Sequence, residues 1–337
     1  MLDRTRNVFV PRHHTMHVPR TMFAAAIDRF GGPDVITGHA LPVPPLDADE
    51  VMIAVDTAGV GPWDADVREG YYAPRKPHFP LVLGYDGAGV IASVGSRVRR
   101  LKVGDEVYSY NWDNPKGGFY AEYVAVPADK VAPIPRRLDL RHAGAIPITG
   151  LTALQGIDDA LGLKKGETII IHGASGGVGT LAVQFARLRG ARVFATASGK
   201  EGVELALEMG AHAAVDGKRV VDIDDRARRF VPDGVDAILA LAGGDALEKC
   251  LNVLRPGGRL AHPNGIEPVP KKRRGMKLIR YDGISGVREF ERLNAAVQTA
   301  RLKVPIAECY PLARAYKAHE RLAEGHVIGK IVLAVHD

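Results

Sequence analysis

Residues 168–200 read TIIIHGASGGVGTLAVQFARLRGARVFATASGK. Thr168, Ile169, Ile170 and Ile171 are β-branched with no turn residue among them, which suits a buried parallel strand. Gly173-Ala174-Ser175-Gly176-Gly177-Val178-Gly179 follows at once. Leu181, Val183, Phe185, Ala186 and Leu188 then recur at helical spacing up to Gly190, and residues 192–197 read as a second strand. Strand, glycine-rich turn, helix, strand is a βαβ unit. Aligned on Gly176 and Gly179, the loop follows G-x-G-x-x-G except that Ala174 holds the first position. Gly176 lets the backbone approach a pyrophosphate, and Gly179 lets the helix pack closely on the strand. The helix N-terminus adds free N–H groups and a positive dipole end. Ala174, Ser175, Gly176, Gly177, Val178 and Gly179 are therefore read as a dinucleotide-binding loop. A tight turn in an unrelated α/β domain is the alternative, and the position between strand and helix disfavours it.

The end of the second strand bears on which dinucleotide binds. An NAD site usually carries an acid there for the ribose hydroxyls. Here the stretch is Thr196-Ala197-Ser198-Gly199-Lys200, with no acid at the strand end. Ser198 can donate a hydrogen bond, and Lys200 can meet a 2′-phosphate as a point charge. NADP(H) is expected over NAD(H), with a solvated helix-start lysine as the alternative reading of Lys200. Glu201 is assigned to the start of the next helix.

The segment GLKKGETIIIHGASGGVGTLAVQFARLRGARV resembles the nucleotide-binding segment of medium-chain dehydrogenases/reductases, and most of all their zinc-free quinone oxidoreductase branch. The similarity runs from about Met22 to Val335. It implies a GroES-like β-rich catalytic domain over 22–140 and 281–337, discontinuous around a Rossmann domain of doubly wound parallel sheet over 141–280. The P-x-x-x-G-x-[DE]-x-x-G-x-V and V-G-D-x-V elements of the first domain are legible at 80–91, with Ile91 in the last position, and at 103–107. The pattern of the residues agrees: short strands with Gly and Pro turns run to about Pro135, and helices alternate with strands after about Arg141. Val235-Asp-Ala-Ile-Leu-Ala-Leu241 reads as another buried strand. Residues 245–254 read as a helix stopped by Arg255-Pro-Gly-Gly, and residues 288–301 as a later helix. Strand ends of such a sheet line the cofactor crevice, so Gly243, Gly244, Asn264 and Gly265 are expected beside the nicotinamide half.

Composition narrows the class. Hydrophobic content of 46% and charged content of 25% are ordinary for a globular protein. The net charge of +6 comes with only 6% aromatics, so nucleic acid is an unlikely partner. No apolar run approaches the ~18 residues of a membrane span. Cys250 and Cys309 have no C-x-x-C spacing and read as free thiols in a reducing compartment. A cytoplasmic enzyme is the default. Residues 1–21 form an arm rich in Arg, with His13, His14 and His17; it reads as disordered or as a start codon assigned too early. A metal tract or a transit peptide is the alternative for that arm. Lys271-Lys-Arg-Arg274 reads as a solvated loop, with an anion-attracting site mouth as the alternative.

Zinc-dependent members of the family use an early Cys, a Gly-His-Glu and a later Cys or Asp. Here those places hold Val60-Gly-Pro-Trp-Asp64 and Gly84-Tyr-Asp86, and no metal is expected. The resemblance then implies hydride transfer from NADPH to a quinone or a conjugated enone or enal, acceptors already activated by conjugation. An enoyl-thioester reductase is a further alternative. Non-catalytic NADPH binding, as a redox sensor or an RNA-binding protein, is the reading from another class, and zinc-dependent oxidation of a saturated alcohol is a third. The proton comes from water or from Tyr72, which matches a tyrosine of quinone and enoyl reductases; a phenol of pKa ~10 can donate at neutral pH. A wall tyrosine packing against substrate is the other reading of Tyr72. Trp63, Tyr71 and Tyr85 are expected around the substrate. Thr152 matches a threonine beside the nicotinamide of relatives, with a helix-start residue as the alternative. Asp64 and Arg68, four apart on a short helix, are expected to pair with each other. Two positions depart from the branch: Gly61 stands where Asn is usual, and Gly217 where Tyr often holds the 2′-phosphate, a role Lys218 could take. A homodimer is expected by resemblance.

Overall fold

The computed structural model describes residues 17–71, 77–113, 115–218 and 222–336. The expected N-terminal arm lies outside the described residues as far as residue 16, His13 and His14 with it. No helix among the described residues is long and apolar enough to cross a membrane.

Six strands form one parallel sheet. In spatial order they are Ala213–Asp216, Arg192–Ala197, Thr168–His172, Val235–Ala240, Leu254–Pro263 and Lys277–Tyr281. In chain order that is third, second, first, fourth, fifth, sixth, the doubly wound arrangement whose strand order reverses at the first strand. Thr168–His172 and Val235–Ala240 are buried along their whole length, as suits strands dominated by Ile169-Ile-Ile171 and Ala237-Ile-Leu-Ala240. The helix Gly177–Leu188 turns Leu181, Val183, Phe185 and Ala186 inward.

The rest of the chain is antiparallel in the main. Glu50–Val60 is the hub of a seven-stranded sheet, pairing with Asp86–Val94, Tyr123–Pro127 and Lys330–Ala334. A smaller sheet joins Ile36–Pro42, Thr21–Ile27 and Leu81–Val82. The proline-rich stretch after residue 41 leaves that sheet at its edge, as missing N–H donors demand.

Two details differ from the sequence reading. The stretch Arg255-Pro-Gly-Gly does not interrupt the chain between elements: the helix Asp245–Leu251 ends earlier, and the strand Leu254–Pro263 runs through it. Gly257, at φ 78°, carries the irregularity in that strand, and its N–H donates to Gly275 O at 2.7 Å. The helix Val287–Ala300 straddles both layers. Its Phe290 and Leu293 sit in one core cluster with Leu154 and Val183, while Phe290 also meets the Tyr108 ring at 5.0 Å. The chain rejoins the seven-stranded sheet at Ile306–Pro311. Both cysteines are free, Cys250 buried and Cys309 exposed.

Candidate functional site

A cleft of about 750 Å³ opens between the two sheets. Its floor on one side is the loop after Thr168–His172. Gly173, at φ 85°, makes the left-handed turn out of the strand; the sequence reading passed over it in favour of Ala174. Ala174 and Ser175 are buried beneath the loop. The Ala174 N–H donates to Thr196 O at 2.9 Å, and Ser175 Oγ accepts the Ser198 N–H at 3.2 Å. These two residues brace the loop from below. Gly176, Gly177, Val178 and Gly179 line the cleft itself. There the first-turn N–H groups of Gly177–Leu188 have no intrahelical acceptor. The loop is tied across to the other sheet, because Ser175 O accepts the Gly329 N–H at 2.8 Å.

Thr152 lines the same cleft from the interior of the helix Pro147–Gln155, not from its start, and its carbonyl accepts the Tyr281 hydroxyl at 2.9 Å. Asn264 and Gly265 also line it, Asn264 being bonded to Arg280 and Asp282. Gly243 does not: it packs against the next loop, where an added Cβ would stand 2.4 Å from Pro268 O. Its backbone faces the ring of His172, whose Nδ1 lies 2.6 Å from Thr196 Oγ1. Burial pushes that imidazole down to about 4, so it is neutral beneath the loop.

The far end of the parallel sheet holds a smaller hollow of about 350 Å³, lined by Lys200, Asp216, Asp222 and Arg226 among others. Lys200 extends into solvent, its side chain 89% exposed with Glu204 at 3.8 Å. Ser198 precedes the helix Gly199–Glu208 without capping it through its side chain. The expectation of no acid here needs correcting. Asp216 lies beside Ala197 across the parallel pair, and its carboxylate accepts the N–H groups of Gly199 and Lys218, each at 3.0 Å. A neighbouring strand thus supplies what the strand's own sequence lacks. Arg226, on the helix Ile223–Phe230, is a further cation that the sequence reading missed. Lys271 and Lys272 are exposed, Arg273 pairs with Glu248, and none of the three lines the cleft.

The opposite wall of the cleft is aromatic. Tyr85 stacks on Trp112 with centroids 4.6 Å apart, and Trp63 meets Trp112 edge-on at 5.2 Å. Trp63 and Tyr85 line the cleft together with Trp112, which was not anticipated. Tyr71 is not in the cleft. Gly70, at φ 92°, ends the helix Pro62–Glu69 in the left-handed region and turns the chain outward, leaving Tyr71 75% exposed. Tyr72 lies outside the described residues.

Asp64 and Arg68 do not pair. Asp64 folds back, and its Oδ2 accepts the Gly61 N–H at 2.7 Å. Arg68 turns to the other side of the helix, toward Gly31 O and His319. Asp64 is 4% exposed, and its Oδ1 makes no hydrogen bond among the described residues. Burial pushes this carboxyl up to about 7, with Asp86 adding to the rise; the Lys330 ammonium and the Gly61 and Gly84 N–H groups hold it down. Asp86, also raised by burial, accepts the Ile148 N–H at 3.1 Å and lies 4.0 Å from Lys330 Nζ. The side chain of Asn111, another lining residue, has its Nδ2 buried without a partner among the described residues. No group of three or more His, Cys, Asp or Glu among the described residues is arranged to hold a metal ion.

The chain matches two family descriptions: alcohol dehydrogenase GroES-like domain over residues 47–136, and zinc-binding dehydrogenase over residues 177–272. A quinone oxidoreductase from Lama guanicoe is 34% identical over 93% of this chain and 98% of its own length. An Arabidopsis thaliana NADPH-dependent alkenal/one oxidoreductase of the chloroplast is 30% identical over 94% of this chain and 80% of its own. Among solved structures, an NAD-dependent alcohol dehydrogenase superposes with a TM-score of 0.86 at 30% identity, covering 94% of this chain and all of that one.

Proposed function

The chain belongs to the medium-chain dehydrogenases/reductases, among their quinone oxidoreductase-like members, and from that premise we propose that it is an NADPH-dependent reductase of quinones or conjugated enones and enals that works without zinc. One observation carries the reading: a single cleft of about 750 Å³ joins a dinucleotide loop to an aromatic wall. The residues fit the cofactor. An added Cβ at Gly176 would meet only Gly173 O, at 3.8 Å, so the loop keeps open space where a pyrophosphate approaches. The bound dinucleotide would supply a hydride. The first-turn amides of Gly177–Leu188 would hold its pyrophosphate, and Thr152, Asn264 and Gly265 would border its nicotinamide half. Trp63, Tyr85 and Trp112 would orient a flat acceptor by stacking and by excluding water. The donor set supports zinc-free chemistry, since residues 60–64 and 84–86 hold no Cys or His and the two carboxylates in them, Asp64 and Asp86, already face the Lys330 ammonium. The open edge of Lys277–Tyr281, last in its sheet, suits the expected homodimer.

Lys200 and Arg226 support NADPH over NADH, with Lys218 close to the same strand end. Fluorescence titration should find NADPH bound more tightly than NADH. The double variant Lys200→Ala/Arg226→Ala should lose about tenfold of that preference or more, the worth of charge-assisted contacts to a phosphate. Equal affinity for the two dinucleotides in the unaltered protein would count against NADPH, and Asp216 would then be the ribose partner. Oxidation of NADPH by 9,10-phenanthrenequinone and by an enone tests the reaction itself.

A further inference from the structure

We propose that Asp64 is the proton donor of the reaction and that Gly61 is the opening through which the acceptor's carbonyl oxygen reaches it beside the Lys330 ammonium. The inference rests on the reductase reading above.

Three observations carry it. Asp64 lines the cleft, and one of its oxygens is buried without a hydrogen-bond partner among the described residues. Its Oδ2 accepts the Gly61 N–H, and the Gly84 N–H also faces the carboxyl. A buried O–H with no acceptor is a cost that a substrate carbonyl would remove. The Lys330 side chain, from the strand Lys330–Ala334, passes the loop and ends beside the same opening. An added Cβ would lie 3.5 Å from its Cδ at Gly177 and 3.4 Å from its Nζ at Gly61. At Gly61 the same Cβ would lie 3.8 Å from Asp64 Oδ2, so a side chain there would cover both groups. Gly61 has φ −146°, which any residue adopts, so its glycine is not a backbone requirement. It leaves the pair uncovered. Gly59 differs: a Cβ there would stand 2.3 Å from Asp86 Oδ1, so close packing in the strand Glu50–Val60 requires its glycine.

The step balances. Hydride taken up at the β carbon of an enone, or at a carbonyl carbon of a quinone, moves an electron pair onto a carbonyl oxygen. That oxygen takes the proton from the Asp64 carboxyl, and the O–H bond of Asp64 breaks. The Lys330 ammonium faces both the developing oxyanion and the carboxylate left behind. The enol returns to the carbonyl form in water, or for a quinone the hydroquinone leaves, and Asp64 regains its proton from solvent. The groups facing Asp64 are Lys330, Asp86, Tyr85 and Tyr120, with the Gly61 and Gly84 amides. Burial outweighs the Lys330 charge and the two amides and holds the carboxyl well above the usual carboxylate range.

Asp64→Asn keeps the shape and an acceptor for the Gly61 N–H but carries no acidic proton. With saturating NADPH and 9,10-phenanthrenequinone or an enone, kcat should fall about 10²-fold. The unaltered enzyme's kcat should decline as pH rises through about 7, and the variant should lose that limb. NADPH affinity by fluorescence should not change. Infrared titration of the cofactor-free protein gives a readout independent of turnover. A protonated-carboxyl band should vanish as pH rises through the same range and be absent from Asp64→Asn. Gly61→Val should raise the acceptor KM about tenfold, the worth of a few lost contacts, and leave the infrared band in place. If Asp64→Asn keeps the kcat and pH profile of the unaltered enzyme while Tyr72→Phe loses both, the proton comes from Tyr72 and the assignment is overturned. An infrared titration with no band near pH 7 overturns it as well. If the unaltered protein oxidises no NADPH with any acceptor, the reductase reading falls and takes this assignment with it.

Discussion

Gly179→Ala is expected to weaken both the fold and dinucleotide binding, whereas Gly176→Ala, three residues earlier in the same loop, is expected to weaken binding alone. A Cβ at residue 179 would stand 2.1 Å from Gly173 O and 2.7 Å from Ala174 Cα. Those are backbone atoms of the turn that Ala174 and Ser175 brace from below, so no rotamer change relieves the clash. The helix Gly177–Leu188 must move off the strand Thr168–His172, and overpacking of that kind costs about 1–3 kcal/mol or more. At residue 176 the backbone is extended (φ −81°, ψ 175°), and the nearest atom to a new Cβ is 3.8 Å away. The folded protein therefore accepts alanine there, with a stability change within about 0.5 kcal/mol. The methyl group would instead occupy space that a pyrophosphate needs, and NADPH affinity should fall at least about tenfold. Urea unfolding and fluorescence titration of the two variants separate the effects. A Gly176→Ala protein that binds NADPH normally would mean that the loop does not meet a pyrophosphate at that residue.

The parallel-sheet half was legible because its signals are local. An unbroken β-branched run, a glycine turn and a helical period lie within 33 residues, and each is set by backbone sterics or by burial of its own face. The loop also shows where local reading stops. Gly173 and Ala174 are adjacent, and only the three-dimensional turn reveals that Gly173 takes the positive φ while Ala174 is buried. What was missed comes from long range. Asp216 reaches the end of Arg192–Ala197 through strand pairing. Trp112 joins Trp63 and Tyr85 from a separate loop. Lys330, near the end of the chain, meets Asp64 and Asp86 through the pairing of Lys330–Ala334 with Glu50–Val60. Helical spacing suggested a bond between Asp64 and Arg68, but spacing says only that two side chains could meet. Here the cap at Gly61 and a more distant histidine compete for them and prevail.

That histidine is the centre of the other large expected effect. Arg68 is 2% exposed, and its guanidinium donates to Gly31 O at 2.9 Å, to Glu69, and to His319 Nδ1 at 2.8 Å. A guanidinium can only donate, so Nδ1 is the acceptor and the imidazole proton sits on Nε2, 3.1 Å from the Tyr120 hydroxyl. The chain of contacts ties the helix Pro62–Glu69, which carries Trp63 and Asp64, to the closing helix Ala315–Ala323. Arg68→Met should cost about 3–5 kcal/mol in urea unfolding, because it leaves buried acceptors without a donor. Arg68→Met/His319→Leu should cost less than the sum of the single changes, since removing both partners leaves fewer groups unpaired. The same histidine sets an acid limit. Burial, with the Arg68 charge adding to it, pushes His319 down to about 3, against an ordinary 6.5 in the unfolded chain. The unfolded state therefore takes the proton first. Stability from this group is complete above about pH 6.5 and is lost as pH falls toward about 3, at about 1.4 kcal/mol per pH unit. His172 acts with the same sign down to about 4. His319→Leu should thus lower stability at pH 7 while removing one proton's worth of slope between pH 4 and 6. An unchanged slope in that variant would mean that His319 is not held neutral in the folded protein, and its Nδ1 could then not accept from Arg68.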